Sequence, residues 1–145
     1  MVLESRYLEE TVEEIQSRIN MTHAALTELK VSSLTLDGLE KEKKGTELFV
    51  PIGGGSYVKV KLETAKTVVV GVGADVAIEK TLKETKEELK TRIAEIEKTR
   101  ESLGQQLNQV FGRIQQNRTM MEEVTAKLRQ KGEKQSGVRQ AKKGS

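Results

Sequence analysis

The chain has 145 residues, of which 35% are apolar, 3% aromatic and 32% charged, with a formal net charge of +3. That supply suits one domain of long, solvated helices better than a globular core. The absence of cysteine and the single histidine, His23, exclude disulfides, thiolate metal sites and any His-based cluster or triad within one chain.

The charge is uneven along the chain. Residues 1–131 carry 21 basic and 21 acidic side chains. The excess lies in residues 132–145, where Lys134, Arg139, Lys142 and Lys143 stand against Glu133. A neutral body argues against a nucleic-acid-binding surface. No apolar run approaches the roughly 18 residues of a membrane span. The N-terminal stretch lacks the basic and apolar regions of a signal peptide. A cytoplasmic protein with no membrane partner is expected.

The first element, residues 1–44, reads as a coiled-coil helix. Leu8, Val12, Ile15, Ile19, Thr22, Leu26 and Leu29 follow one another in alternating steps of four and three, and Ser33 and Leu36 continue the series. A 3.5-residue repeat marks a narrow helix–helix seam. Lys43-Lys44-Gly45 reads as its C-terminus, because cations suit the negative dipole end and glycine tolerates the left-handed cap.

Residues 45–80 are the β-rich part. Leu48-Phe49-Val50-Pro51-Ile52 reads as a strand, Gly53-Gly54-Gly55-Ser56 as a turn, and Tyr57 to Leu62 as an alternating partner strand. A second hairpin follows: Thr67-Val68-Val69-Val70, a Gly71-Val72-Gly73 turn, and a strand from Ala74 to Lys80 with Val76 and Ile78 on one face. The valine strand is apolar on both faces, and a lone hairpin is marginal in water. Burial against other subunits is therefore expected. The assembly residues would be Phe49, Val50, Ile52, Tyr57, Val58, Val60, Val68, Val69, Val70, Val72, Val76 and Ile78. The glycines make no phosphate site: GxxxxGK(S/T) is missing, and Gly71-Val72-Gly73 lacks the third glycine and the βα context of a dinucleotide fingerprint.

Residues 81–131 read as a second helix, opened by a Thr81…Glu84 capping box. Its seam runs Leu82, Thr85, Leu89, takes an extra step of four to Ile93, and resumes at Ile96, Arg100, Leu103, Leu107, Val110, Ile114, Asn117, Met121, Val124 and Leu128. The extra step is a stutter, which locally unwinds a supercoil. Arg100 and Asn117 read as polar seam positions that control register. Aligned antiparallel, Leu8 faces roughly Val110, and little of the first helix remains beyond Asn117. Apolar residues gather at that end: Val2, Leu3, Tyr7, Phe111 and Met120 off the seams, with Met121, Val124 and Leu128 on a seam without a partner. Such a set marks a binding surface, and methionine suits one that adapts to many partners. Residues 132–145 read as a disordered basic tail.

The order helix, two hairpins, helix resembles the archaeal prefoldins, specifically their α-class subunit. The resemblance rests on Leu48 to Tyr57, similar to the family's apolar-VP-apolar-G-x-GS-aromatic run, and on Val70 to Lys80, similar to its second-hairpin pattern, with Asp75 where glycine is common. It implies an α+β fold: a long antiparallel two-helix coiled coil joined by two β-hairpins that form part of an oligomeric β-barrel platform. It further implies a hexamer with β-class prefoldin subunits (two α and four β), non-native protein clients held at the coiled-coil tips, and delivery to a group II chaperonin. An ATP-independent holdase without cofactor or enzymatic activity is the function implied. The alternatives are a prefoldin-like filament or scaffold subunit, and a nucleic-acid-associated coiled coil using the basic tail. The neutral body and the missing stacking aromatics count against the last.

Overall fold

The structure, a computed structural model, describes residues 2–144. Its elements in order are α1 (Val2–Glu40), β1 (Glu47–Gly53), β2 (Ser56–Lys61), β3 (Thr67–Gly73), β4 (Val76–Thr81) and α2 (Leu82–Lys143). They divide into two compact units. One holds the residues up to Asn20 with those from Glu101 onward, and the other is Met21–Arg100.

In the Met21–Arg100 unit the helix–helix seam forms as the heptads predict. Leu26 and Leu82 are buried, Thr85 is buried with them, and Leu29, Leu36, Leu89, Ile93 and Ile96 are half-buried. The Thr85 hydroxyl donates to the Thr81 carbonyl at 2.9 Å, so its burial leaves no lost hydrogen bond. Ion pairs line the seam. Lys30 meets Glu97 at 3.2 Å, and Lys86 lies 2.7 Å from Asp37 and 2.6 Å from Glu40. One ammonium between two carboxylates is held charged, and its pKa is raised by those hydrogen bonds.

β1 and β2 form one antiparallel two-stranded sheet, and β3 and β4 form another. In the first, Leu48 pairs with Val60 and Val50 with Val58 on one face, while Phe49 pairs with Lys59 and Pro51 with Tyr57 on the other. In the second, Val70 pairs with Ile78 and Val69 with Glu79 on opposite faces. Both hairpins carry a bulge before the turn, and both turns have three successive left-handed residues. In the first these are Gly53, Gly54 and Gly55. In the second they are Gly73 (φ 105°), Ala74 (φ 50°) and Asp75 (φ 59°). Positive φ at the central residues matches the twist of the flanking strands, but alanine has a Cβ that opposes it. Ala74 thus belongs to the turn, not to the strand expected from its alternation.

Two further boundaries, the ends of α1 and of α2, differ from the sequence reading, while the start of α2 agrees with it. α1 ends at Glu40, before the Lys-Lys-Gly run. There the Thr46 N–H and hydroxyl both donate to the Lys43 carbonyl, at 3.1 and 2.7 Å, and Gly45 N–H donates to Leu62 O at 2.7 Å. These local bonds compete with helix continuation, and Gly45 caps the entry to β1. At the other end, α2 begins at Leu82, with Thr81 both the last residue of β4 and the N-cap: Glu84 N–H donates to the Thr81 hydroxyl at 3.1 Å. α2 then continues past 131 to Lys143, so most of the basic tail is helical. An established helix extends at little cost per residue, and the tail lacks proline.

In the unit that holds residues 2–20 and 101–144, Leu8, Ile15 and Leu103 are buried, and Val12, Ile19, Leu107, Val110 and Ile114 are half-buried. Arg113 meets Glu4 at 3.2 Å, which sets Leu8 within a turn of Val110, the alignment that the seams predict. Arg100, expected on the seam, is exposed. A long arginine stem carries its charge out to water wherever a flank is open.

Candidate functional site

Two surfaces hold the residues singled out from the sequence. The first is formed by the hairpins. Alternation places Phe49 and Tyr57 on one face of the first hairpin and Val50, Val58 and Val60 on the other. Lys59 lies 6.0 Å above the Phe49 ring and 3.8 Å from Glu47, so the aromatic face carries a charged rim. In the second hairpin Val68 and Val70 are half-buried, whereas Val69 is 73% exposed. Val60 is half-buried, and Phe49, Val50, Ile52, Tyr57, Val58, Val72, Val76 and Ile78 are exposed. Each two-stranded sheet thus leaves much apolar side chain and its outer edges bare, and a lone hairpin is marginal in water.

The second surface lies at the end of the helix pair. Val2, Leu3 and Tyr7 on α1, and Phe111 and Met120 on α2, are all exposed. Every residue of α2 from Arg118 to Lys142 is exposed, including Met121, Val124 and Leu128 on the continued seam. Leu3 is 83% exposed and Leu128 65%. The paired part of the seam ends at Asn117, which is half-buried, with an Nδ2 that is shielded from solvent and has no acceptor. No helix among the described residues is long and apolar enough to cross a membrane.

A family model described as prefoldin subunit matches residues 8–127. The chain belongs to the prefoldin family. Relatives called prefoldin subunit alpha are 28% identical over 109 residues in Thermofilum pendens (75% of this chain, 84% of that one) and 29% identical over 110 residues in Methanococcus vannielii (76% and 73%). One called prefoldin subunit alpha 1, from Thermococcus kodakarensis, is 46% identical over 61 residues (42% of each chain). A cryo-EM structure of filamentous PFD from Methanocaldococcus jannaschii shares the fold, with a TM-score of 0.70 at 24% identity, covering 80% of this chain and 96% of that one.

The prefoldin α-class resemblance read from Leu48–Tyr57 and Val70–Lys80 therefore holds, as does the helix, two-hairpin, helix fold. Prefoldins are chaperone subunits, not an enzyme family, and membership implies association with other prefoldin subunits. Sequence reasoning missed four exposed apolar residues. Val138 continues the α2 seam, two heptads on from Val124, a spacing visible once the tail is read as helix. Met21, Val31 and Leu34 are exposed on α1, where apolar residues off the seam were the available signal.

Proposed function

We propose that this prefoldin subunit is an ATP-independent holdase. It captures non-native proteins at the free end of the helix pair, assembles through its hairpins, and hands clients to a group II chaperonin from the cytoplasm. The observation that carries the reading is the run of bare seam residues, Met121, Val124 and Leu128, in a family of chaperone subunits. Each helix end would bury a small apolar area, at about 25 cal/mol per Å². Several ends in one assembly raise the effective concentration and make a weak grip sufficient and reversible. The client-binding set is Val2, Leu3, Tyr7, Phe111, Met120, Met121, Val124 and Leu128.

Assembly is assigned to the exposed hairpin residues, in a β-barrel platform shared with β-class subunits as a hexamer of two α and four β chains. Removing residues 1–7 and 118–145 abolishes suppression of client aggregation and leaves the oligomer mass minus the deleted residues. Loss of the oligomer in that truncation would sink the division of labour. Val69→Asp does the reverse and yields monomers or aggregates.

A second reading is favoured by the filamentous character of the structurally similar prefoldin from Methanocaldococcus jannaschii. In it the chain assembles alone into a filament or scaffold. Light-scattering mass of the chain alone, and then with a β-class subunit, separates the readings: a long polymer without the partner supports the filament, a discrete complex only with it supports the hexamer.

A further inference from the structure

The overhang of α2 is half of a coiled coil, and its chemistry specifies the other half. Beyond Asn117 apolar residues hold the seam at Met121, Val124 and Leu128, and again at Val138 after the polar positions Lys131 and Gln135. Exposed apolar residues at seam spacing suit the face of a further helix. The amide of Asn117 supports this. Its Nδ2 is shielded and unpaired at the last half-buried position of the seam, and a buried donor is normally satisfied. An arriving helix would supply the acceptor.

The flanking positions decide what kind of helix. Where α1 and α2 do pair, a flank position of each carries the ion pair Glu4–Arg113. The row that contains Arg113 continues at seven-residue steps through Met120, Lys127, Lys134 and Ala141. The row on the opposite flank is Arg118, Thr125, Gly132 and Arg139. These eight flanking positions hold four cations and no anion. The acidic residues of the overhang, Glu122, Glu123 and Glu133, all fall on the outward face. Coiled-coil partners are selected by opposite charge at the flanks.

A second copy of this overhang is excluded by the same positions. Paired antiparallel, Lys127 would meet Lys134 and Arg118 would meet Arg139. Paired parallel, Lys134 would meet Arg139. Like charges at these sites disfavour the pairing.

We infer that the overhang binds an amphipathic helix with apolar seam residues and acidic flanks, supplied by another protein, as a coiled coil that extends the α1–α2 seam. The inference rests on the holdase reading of this end and names the partner chemistry that the end prefers. Recognition is by helix register and charge, not by apolar exposure alone. An extended or basic unfolded segment would be held less well than a nascent acidic helix.

Two labelled synthetic peptides test this on the full chain in its assembled form. Both have leucine seams, one with glutamate flanks and one with lysine flanks. Fluorescence anisotropy at low salt is expected to show the glutamate peptide bound at least about tenfold more tightly, with the gap closing at high salt as screening grows. The double variant Lys127→Glu/Lys134→Glu, which changes only exposed side chains and leaves two cations against two anions at these flanks, abolishes the preference. Equal binding of the two peptides, with client aggregation still suppressed, overturns the inference and spares the holdase reading. Loss of aggregation suppression on deleting 118–145 without any peptide preference in the intact chain has the same meaning. If the intact chain neither binds a peptide nor suppresses aggregation, both readings fall. Displacement of the glutamate peptide by a duplex oligonucleotide of matched charge at equal concentration overturns it in favour of a nucleic-acid surface. A fall in oligomer order on deleting 118–145 overturns it in favour of self-association.

Discussion

Arg113 of α2 meets Glu4 of α1 at 3.2 Å, and both side chains are largely exposed. Such a pair contributes little stability, about 0–1 kcal/mol. Its value is in register. It marks which residues of α2 lie opposite α1, an alignment held by the buried Leu8, Ile15 and Leu103. From Arg118 onward every described side chain to Lys142 is exposed.

The basic tail is expected to contribute helix, not coil. Truncation after Lys131 should lower the far-ultraviolet circular dichroism signal by the share of residues 132–143 in α2. An unchanged total signal, corrected for mass, would show that the tail is not helical in solution. Gly132 and Gly137 each weaken it by about 1 kcal/mol relative to alanine, so replacing both with alanine should raise the signal.

Ala74 holds a left-handed conformation that glycine adopts freely. Ala74→Gly should stabilise the second hairpin, since a side chain in that region costs about 1–2 kcal/mol, partly offset by the greater freedom of glycine in the unfolded chain. Urea unfolding at one fixed protein concentration measures it. A destabilised variant would mean that the turn tolerates the methyl group without strain.

Leu26 and Leu34 lie eight residues apart on α1, yet one is 2% exposed and the other 70%. Leu26→Ala should cost about 2–5 kcal/mol through transfer and cavity terms. Leu34→Ala should fall within about 0.5 kcal/mol, as surface substitutions do. Comparable losses at the two sites, read from the same unfolding curves, would show that Leu34 is covered in the assembled protein.

Lys86 links α1 and α2 through Asp37 and Glu40. Its folded pKa is raised above the ordinary 10.5, chiefly by the hydrogen bond to Asp37 and then by that to Glu40. A raised pKa on a cation means that the stabilisation is fully present below the unfolded value and is lost as pH rises through the folded one. The melting temperature difference between the parent chain and Lys86→Met should therefore be constant across neutral pH and shrink above about pH 10.5. A difference that instead shrinks on acidification to neutral pH would assign the effect to another group.

Thr81 serves β4 and α2 at once. Thr81→Ala should cost about 1 kcal/mol through the lost cap, and Thr81→Asp, which keeps an acceptor at the N-cap, should retain most of it. Equal losses in thermal unfolding would place the role of Thr81 in the strand.

Much of this architecture is legible in the sequence. The heptad steps located Leu8, Ile15, Leu26, Leu82 and Leu103, all buried. Alternation and glycine runs located both hairpins, and Thr81 with Glu84 located the start of α2. These features are local. A 3.5-residue or two-residue period needs only neighbours in the chain to express itself, and a cap needs only the residue three positions on.

The features that escaped depend on groups distant in sequence or on competition between backbone partners. α1 stops at Glu40 because Thr46 and Leu62 draw the following backbone into a turn and a strand pairing. Ala74 is left-handed because the pairing of Gly73 with Val76 closes a hairpin around it, whatever its own preference. Arg100 is a seam position by spacing but is solvated in fact. Burial is a property of two surfaces together. Leu103 and Leu128 are both seam positions in the repeat of α2, and Leu103 is core because α1 packs beside it, while Leu128 is surface because no described residue covers it.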